Sequence, residues 1–402
     1  MFLQRSIYPR LREHLPKRQI TVLTGMRRTG KTTLLKQLMA DSGVDQQFYF
    51  DLERLDTRAL FSEPNYETVI HALQQRGADF SRPVLLALDE IQLVPTLPSL
   101  LKYLYDHYPI KFLVTGSAMY YIKNLFSESL AGRKKIFEVY PLHFGELLDF
   151  VGVRAAAVGL AEAGRFSASE YARLKPYYED YIRFGGFPEV VLSPTLADKQ
   201  DLLNDILSSY INFDIALLAD IRRPLDLYKL VRLLSARIGT KLDISRLTSE
   251  VGLSRPTVEN YLGLLEKSYL IRSLPVLAKS PDREIVKARK VYFLDNGLAA
   301  LSGGLSSGAC FENAVFNQLL HHGELAYYQR KTGHEIDFVL GGHSAYEAKE
   351  TGMVADVSKI RHLSQQVGIP AGYVVARHVS QPFEGLVWGG FIRGGVGDEF
   401  KV

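Results

Sequence analysis

Short apolar runs alternate with amphipathic stretches through about the first 120 residues of the chain. Near-continuous hydrophobic runs predict buried strands at residues 19–24, 47–52, 83–90 and 110–117. Apolar positions at helical spacing predict helices at residues 31–40, 66–77 and 97–108. Strands that lack polar alternation are typical of a parallel sheet with helices on both faces. We therefore predict an α/β fold with a parallel-sheet core over residues 1–150.

The pattern changes after this core. Residues 151–220 are mainly helical in pattern, with an alanine-rich portion near residues 154–164 and a long helix at residues 196–220, and predict a lid or linker. Three short helical patterns follow within residues 221–285, at 225–239, 243–252 and 254–271. Together with the basic loop that follows them in the sequence, these helices predict a winged helix. Residues 286–402 mix helix and strand patterns and predict a C-terminal α/β domain.

A glycine-rich stretch, TGMRRTGKTT, joins the first predicted strand to the first predicted helix at Thr24–Thr33. It matches G-x-x-x-x-G-K-[ST], a loop whose backbone N–H groups surround a phosphate. A plain glycine-rich turn is the alternative, but the strand before it and the helix after it favour a nucleotide site. We expect ATP here, with Lys31 on the β- and γ-phosphates and the Thr32 hydroxyl on Mg²⁺. The loop residues expected at the nucleotide are Gly25, Arg27, Arg28, Thr29, Gly30, Lys31, Thr32 and Thr33.

Polar residues follow two later strands, and the carboxyl ends of parallel strands form a ligand-binding edge. Asp89 and Glu90 end the third strand, while Thr115 and Ser117 end the fourth. We expect Asp89 to hold Mg²⁺ and Glu90 to act as base or orienter for the attacking water. Thr115 or Ser117 would orient that water or contact the γ-phosphate, unless they only form a strand-to-loop turn. The presence of Glu90 favours hydrolysis over passive nucleotide binding.

The predicted winged helix carries a local excess of positive charge. Residues 222–290 contain 15 Lys or Arg and 7 Asp or Glu, which gives +8 (15 − 7) against +4 for the whole chain. Such an excess is a candidate nucleic-acid footprint. A solvated helical face explains the charge equally well, and winged helices also bind proteins.

The third short helix is the predicted DNA-reading element. Asp243 and Ser254 are at N-cap positions, and Gly252 is in the turn between helices two and three. The N-terminal residues of a third helix enter the major groove. We expect Tyr261 to face DNA, and Val258, Leu262 and Leu265 to face the core. The other expected DNA contacts are Arg255, Thr257, Asn260, Lys279, Arg283, Lys287, Arg289 and Lys290.

The C-terminal region contains four charged residues whose order along the chain suggests a metal-dependent site. Residues 334–340 and 344–350 predict a hairpin turned at Gly341 and Gly342. Side chains two apart on a strand share a face, so Glu347 and Lys349 point the same way. Two carboxylates that hold Mg²⁺ beside a lysine suit phosphodiester hydrolysis. We expect Glu312, Asp337 and Glu347 to be metal ligands, and Glu347 and Lys349 to be catalytic residues. The alternative is a structural or partner-binding domain on which these charged side chains are simply solvated.

Chain length, composition and cysteine count limit the class of protein. The chain has 402 residues, 47% apolar residues and one cysteine, Cys310. These values are ordinary for a globular protein, and a single cysteine excludes a disulfide framework within one chain. The N-terminus is too charged for a signal peptide, and no apolar run approaches the length that spans a bilayer. We expect a cytoplasmic protein without a membrane segment.

The motifs together resemble a large prokaryotic family. The segments that carry the resemblance are KRQITVLTGMRRTGKTTLLKQL, LLALDEIQ, FLVTGSA, SLAGRKKIFEVYPLHFGELL and YIRFGGFPEVV. Its members are AAA-type P-loop ATPases followed by a winged-helix segment and a C-terminal domain that resembles PD-(D/E)xK nucleases. The resemblance implies that the fourth strand lies between the first and the third. It also implies function as a ring or other oligomer.

Arg133 lies in the quoted segment SLAGRKKIFEVYPL. In oligomeric ATPases, an arginine from a neighbouring subunit commonly stabilises the charge of the transition state. We assign this role to Arg133. A surface salt bridge is the alternative, and Arg27 and Arg28 compete for phosphate contacts.

Overall fold

The computed structural model describes residues 3–117, 130, 132–154, 167–215, 224–278, 289–330 and 333–392. Two compact units are present. The first contains residues 1–140, 212–220 and 267–269, and the second contains residues 141–211, 221–266 and 270–402. The lid, winged-helix and C-terminal segments predicted as separate domains thus belong largely to one unit.

The first unit is an α/β domain built on a five-stranded parallel sheet, as predicted. Its strands are β1 (Ile20–Thr24), β2 (Gln46–Asp51), β3 (Val84–Asp89), β4 (Ile110–Gly116) and β5 (Lys134–Glu138). Its helices are α1 (Tyr8–His14), α2 (Lys31–Ala40), α3 (Leu55–Phe61), α4 (Tyr66–Gln75) and α5 (Leu97–His107).

The strand order of this sheet is β2-β3-β4-β1-β5. Strand β4 therefore lies between β1 and β3, which confirms the position implied by the family resemblance. Successive residues of each strand enter cores on opposite faces: Val22, Leu86 and Val114 on one face, and Leu23, Leu85 and Leu113 on the other. This two-sided burial explains why the strands are continuous apolar runs.

The second unit begins with helices that agree only partly with the predicted lid. They are α6 (Phe144–Phe150), α7 (Ala168–Phe184), α8 (Pro188–Val191) and α9 (Leu196–Ser209). The alanine-rich part of the predicted helical stretch lies outside the described residues. The α-helix predicted to run from residue 196 to 220 ends at Ser209 and continues as a wider π-helical turn over Tyr210–Ile215.

Three helices and a two-stranded antiparallel hairpin follow. They are α10 (Pro224–Ser235), α11 (Ile244–Val251), α12 (Arg255–Lys267), β6 (Ile271–Leu274) and β7 (Lys290–Phe293). The Asp243 side chain accepts the Arg246 N–H at 3.0 Å, and Gly252 ends α11 with φ 75°. The helix boundaries predicted from caps and turns are therefore confirmed.

The C-terminal part contains a mixed five-stranded sheet in the order β12-β11-β10-β9-β8. Its elements are α13 (Asn296–Leu301), α14 (Ser307–Leu319), β8 (Leu325–Gln329), β9 (Glu335–Leu340), β10 (Ser344–Thr351), α15 (Val354–Gln365), β11 (Ala371–His378) and β12 (Leu386–Trp388). Strands β9 and β10 form the predicted hairpin. Among the described helices, none is long and apolar enough to cross a membrane.

Candidate functional site

Two glycines shape the loop between β1 and α2. Gly25 has φ 150°, and a Cβ atom there would lie 2.1 Å from the carbonyl oxygen of Val139. The Val139 N–H donates to the Thr24 carbonyl at 2.7 Å and fixes this close approach. Gly30 has φ 92° and caps α2 in the left-handed region, which glycine adopts at low cost. The loop therefore leads from the carboxyl end of β1 into the N-terminus of α2, where backbone N–H groups suit an anion.

The side chains of Lys31 and Thr29 are turned into this loop. Lys31 is buried, and its Nζ donates to the Met26 carbonyl at 2.9 Å. The Thr29 hydroxyl donates to the same carbonyl at 2.9 Å, so Thr29 offers a phosphate its backbone N–H rather than its hydroxyl. Burial lowers the pKa of Lys31, whereas Glu90 and other acids oppose that shift. A phosphate that enters the loop would give the ammonium an anionic acceptor.

The two loop arginines have different surroundings. Arg27 Nε lies 2.7 Å from a carboxylate oxygen of Asp214, and its Nη2 lies 3.4 Å from Glu53. Asp214 is 7% exposed, and burial raises its pKa to about 6 although Arg27 acts in the other direction. Arg28 is exposed with φ 63°. Nothing in the local sequence around Asp214 points to a place beside the phosphate loop.

Asp89 accepts hydrogen bonds from hydroxyl groups on three neighbouring elements. Thr32 on α2 donates to Oδ2 at 2.7 Å, and Tyr49 on β2 donates to the same oxygen at 3.0 Å. Thr115 on β4 donates to Oδ1. A carboxylate beside the Thr32 hydroxyl is the donor set that Mg²⁺ prefers, so these residues fit the expected ion. Tyr49 was not identified from the sequence, because its apolar strand gave it no functional context.

Glu90 is held in a left-handed conformation with φ 57° at the end of β3. Its N–H donates to the Thr115 hydroxyl at 3.1 Å, and its carboxylate accepts from the Gln92 amide. Gln92 also donates to the Ser117 hydroxyl at 2.9 Å. A left-handed glutamate is strained, and such strain recurs at functional sites. Gln92, which the sequence did not identify, fixes the Glu90 carboxylate.

Thr115 and Ser117 are both buried, with 0% and 5% of their surface exposed. Their hydroxyls contact Asp89 and Gln92 rather than open space. The Thr115 hydroxyl is engaged by Asp89 and Glu90, whereas the Ser117 hydroxyl accepts from Gln92. Contact of either hydroxyl with the attacking water or the γ-phosphate stays a prediction. Thr115 positions Asp89 and Glu90.

Arg5 supports the phosphate loop from the N-terminal segment. Its guanidinium donates to the Thr29 carbonyl at 2.8 Å and to the Tyr140 carbonyl at 2.7 Å. The side chain is 5% exposed. A single arginine in a charged N-terminal stretch carries no sequence signal for this role.

Arg133 lies at the amino-terminal ends of the parallel strands, whereas the phosphate loop lies at their carboxyl ends. Strand β5 pairs in parallel with β1, with Lys134 opposite Ile20 and Glu138 opposite Thr24. A five-residue strand spans about 16 Å, so Arg133 cannot reach the loop of its own chain. Its guanidinium donates to both oxygens of Asp106, at 3.0 and 3.2 Å. The predicted role can therefore operate only between subunits.

The exposed start of α12 agrees in part with the predicted DNA-reading surface. Arg255 and Asn260 are exposed, although Arg255 Nε forms an ion pair with Glu259 at 2.8 Å. Thr257 is half-buried, and its hydroxyl hydrogen-bonds with that of Ser254 at 2.8 Å.

Two assignments on α12 were wrong. Tyr261 is 9% exposed and belongs to the core, and Leu264 rather than Leu262 packs beside Val258 and Leu265. The helix is rotated by part of a turn from the predicted phase, because several apolar residues in YLGLL fit helical spacing.

The predicted wing is described only at its end. Lys279, Arg283 and Lys287 lie outside the described residues, and Arg289 is exposed. Lys290 is 2% exposed and begins β7 with its side chain among carboxylates, so its assignment as a DNA contact is corrected.

The charged residues of the C-terminal region make ion pairs and hydrogen bonds with one another and with Lys290. Lys349 Nζ lies 2.9 Å from Glu347, and Asp337 accepts the Ala348 N–H at 2.9 Å. Lys290 Nζ lies 3.8 Å from Glu312 and 3.6 Å from Asp337. It also forms an ion pair with Glu335.

The charges of this cluster depend on one another. Burial raises the pKa of Glu312 to about 7, and Asp337 adds to the shift while Lys290 opposes it. Burial acts to lower the pKa of Lys290, but Asp337, Glu312 and Glu335 together raise it. Lys290 therefore carries the positive charge among the acids. The donor set does not fit the expected metal ion, because an ammonium is already within ion-pair distance of Glu312 and Asp337, two of the three proposed ligands.

A second group with metal-ligand chemistry lies at the start of α6. Ligand atoms of His143, Glu146 and His321 are within 4.8 Å of one another. The Nδ1 atom of His143 accepts the N–H groups of Gly145 and Glu146, at 3.1 and 3.4 Å. A neutral ring that accepts at Nδ1 carries its proton on Nε2, which opposes metal binding at Nε2. His143 and Glu146 form the capping box of α6.

Comparisons with known proteins divide the chain into three parts. Residues 17–148 match a family model described as an AAA domain. Residues 175–307 match a domain of unknown function (DUF8612), and residues 307–385 match another (DUF4143).

The relatives found are themselves described as uncharacterised proteins. One from Methanocaldococcus jannaschii is 27% identical over 351 residues, which cover 83% of this chain and 76% of that protein. One from Haemophilus influenzae is 27% identical over 337 residues, which cover 80% and 79% of the two chains.

Solved structures with similar elements include the Aeropyrum pernix ORC1 protein in complex with DNA, with a TM-score of 0.33, 17% identity, and coverage of 75% of this chain and 93% of that chain. They also include the Thermotoga maritima RuvB Holliday junction branch migration motor, with a TM-score of 0.31, 16% identity, and coverage of 70% and 91%. The phosphate loop, the parallel sheet and the family match agree on one statement: residues 17–148 form an AAA-type P-loop domain.

Proposed function

We propose that the chain hydrolyses ATP with Mg²⁺ at the phosphate loop. One observation carries the proposal: Asp89 is hydrogen-bonded to Thr32 of the loop and to Thr115, which also holds Glu90. The groups expected to bind the metal-bound triphosphate and to activate water are thus linked by direct contacts. Hydrolysis needs both sets in fixed positions, because it depends mainly on positioning and charge stabilisation.

Each residue has a role in this proposal. The loop N–H groups from Gly25 to Thr33 bind the phosphates, and Lys31 turns from the Met26 carbonyl to the β- and γ-phosphates. Thr32 and Asp89 hold Mg²⁺, which when bound neutralises charge on the phosphate oxygens. Glu90 orients the attacking water and accepts its proton. Arg28 is exposed and Arg27 is beside the loop, so either guanidinium can add positive charge at the phosphates.

A substitution in the loop tests the nucleotide site. Lys31→Ala should abolish ATP binding and phosphate release, because the buried ammonium is the side-chain cation of the motif. Lys36→Ala is the matched control, since Lys36 is exposed on the same helix. Fluorescent-ATP binding and steady-state phosphate release should be measured on both variants. Turnover by Lys31→Ala at the rate of the wild type would remove the central assignment.

We further propose that DNA is the macromolecular partner, contacted by the start of α12 and by the basic residues that precede β7 in the sequence. The support is the +8 excess over residues 222–290 and the exposure of Arg255, Asn260 and Arg289. Two contacts weaken this support. Lys290 is counted in the excess but is buried against carboxylates that lie outside the segment. Arg255 is held in an ion pair with Glu259. The same observations favour the alternative, an ATPase whose second unit binds proteins.

Salt dependence separates these alternatives. If DNA phosphates are contacted, the logarithm of duplex affinity should fall linearly with the logarithm of salt concentration. Arg255→Ala should reduce the slope by about one if this residue contacts a phosphate. Lys229→Ala, a basic residue on α10, serves as control. No retention on duplex, with ATP turnover unchanged by DNA, would support the protein-binding alternative.

A further inference from the structure

We propose that Lys290 is the permanent cation of the C-terminal carboxylate cluster and stands where a divalent ion would otherwise bind. The cluster is then a metal-independent joint between the β6–β7 hairpin and the C-terminal sheet. This inference does not rest on ATP hydrolysis.

The position of the ammonium carries the proposal. Lys290 Nζ lies 3.8 Å from Glu312 Oε1 and 3.6 Å from Asp337 Oδ1, with its side chain 3% exposed. A Mg²⁺ ion shared by these carboxylates would need oxygens at about 2.0–2.1 Å and would meet the ammonium at close range. Two cations at such a distance in a buried site repel each other strongly.

The carboxylates also have partners that do not involve a metal. The Tyr292 hydroxyl donates to Glu312 at 2.7 Å, and the Ala348 N–H donates to Asp337 at 2.9 Å. Glu335 forms an ion pair with Lys290. Buried charges are tolerated when they are paired and hydrogen-bonded, and each of these acids meets that condition.

The same contacts join successive parts of the second unit. Lys290 begins β7, whereas Glu312 is on α14, and Glu335 and Asp337 are on β9. Gly239, in the turn after α10, packs so closely on Glu312 that a Cβ atom there would lie 2.4 Å from Oε1. The Gly239 N–H donates to the Val291 carbonyl at 3.3 Å. The cluster therefore holds the three-helix segment, the hairpin and the C-terminal sheet against one another.

Removal of the ammonium should create the metal site that it now replaces. Full-length protein without nucleotide is titrated with Mn²⁺ by calorimetry, in an Asp89→Asn background that removes the acid of the phosphate-loop site. Lys290→Ala should bind Mn²⁺ at least about tenfold more tightly than the matched protein with Lys290, because a buried positive charge has left the carboxylates. Adding Glu312→Gln should abolish the gain. Mn²⁺ should also raise the unfolding temperature of Lys290→Ala but not of its parent.

Two results would overturn the proposal. The first is Mn²⁺ binding by the protein with Lys290 that is lost on Glu312→Gln, and this comparison decides the question even if Lys290→Ala does not fold. The second is a folded Lys290→Ala variant that gains no Glu312-dependent binding.

A cleavage assay gives an independent check. Any Mg²⁺-dependent cutting of single-stranded, duplex or branched DNA by the wild-type preparation should persist unchanged in Glu347→Gln and Lys349→Ala, since it would come from a contaminant. Cleavage that both substitutions abolish would contradict a metal-independent cluster.

Discussion

Asp89 determines the arrangement of the nucleotide site at the scale of single residues. Its two oxygens accept from Thr32, Tyr49 and Thr115, so α2, β2 and β4 converge on one carboxylate at the end of β3. Thr115 has a second contact, because its hydroxyl accepts the Glu90 N–H. One buried hydroxyl thus links the proposed metal ligand to the proposed base.

Thr115→Val should lower kcat by about 10- to 100-fold, because small misplacements of catalytic groups have effects of this size. The KM for ATP should change little, since the loop N–H groups and Lys31 are untouched. Thr115→Ser keeps the hydroxyl and should restore turnover. Steady-state phosphate release measures all three proteins. A loss in the serine variant as large as that in the valine variant would contradict the proposed role of the hydroxyl, because serine retains it.

Asp214 should make the first unit more stable as pH falls through 6. Its pKa is raised from 3.8 to about 6, chiefly by burial, so the folded state binds a proton more tightly than the unfolded chain does. The ionised carboxylate therefore costs about 3 kcal/mol above pH 6, and this cost is relieved between pH 6 and pH 4. Arg27 and Lys31 oppose the shift, while Glu90 and Glu53 add to it.

The measurement is the unfolding free energy of the wild type minus that of Asp214→Asn, from pH 4 to pH 8. The difference should move in favour of the wild type as pH falls below 6. Asp45→Asn, at an exposed aspartate, should show no such change. A difference that stays flat, or falls with pH, would contradict the burial of Asp214 beside Arg27.

The site was predictable where function requires a local pattern. Gly25, Gly30, Lys31, Thr32, Asp89 and Glu90 follow from motif and strand order. Arg5, Tyr49 and Asp214 did not, because their contacts join distant parts of the chain through the fold. Gln92 is only two residues after Glu90, but its contact with Ser117 also depends on the fold. Lys290 was predicted to contact DNA because it lies in a basic stretch, and spacing cannot pair it with acids that come later in the chain.

At the scale of elements, caps and turns fixed the helix boundaries well. Asp243 accepts the Arg246 N–H, Ser254 accepts the Thr257 N–H, and Gly252 ends α11 in the left-handed region. The side of α12 that faces the core was less predictable, because the segment YLGLL contains more apolar residues than one buried helical face requires. Packing against α10 and α11 decides which of them is buried.

Asp243→Ala should destabilise the second unit by about 1 kcal/mol, because the N-terminus of α11 loses its side-chain acceptor. Asp243→Asn retains an acceptor oxygen and should recover most of this loss. Urea unfolding monitored by circular dichroism compares the variants. Identical midpoints for alanine and asparagine would show that the cap does not stabilise the fold.

At the scale of the whole molecule, we propose that hydrolysis requires an assembly. Arg133 is at the amino-terminal ends of the sheet's strands, and its guanidinium donates to both carboxylate oxygens of Asp106. A role at a neighbouring subunit's nucleotide requires Arg133 to leave Asp106. This ion pair is half-exposed, so its loss costs little stability.

Two substitutions at this pair distinguish a trans role from a surface salt bridge. Arg133→Ala should lower ATP turnover by about 10³-fold or more if it acts as an arginine finger. Asp106→Asn removes the same ion pair but frees Arg133, so turnover should be unchanged or higher. Sedimentation with ATP should show that both variants assemble alike. Equal ATP turnover in both variants would show that Arg133 has no catalytic role and only forms a surface salt bridge.

The most direct test of the central claim is ATP binding and phosphate release by Glu90→Gln, measured on the same preparation. The amide keeps the size of the side chain but cannot accept the proton from water. We predict ATP affinity close to that of the wild type, with phosphate release reduced by about 10²-fold or more. Hydrolysis by Glu90→Gln at the wild-type rate would contradict the account, because Glu90 could then not be the group that activates water.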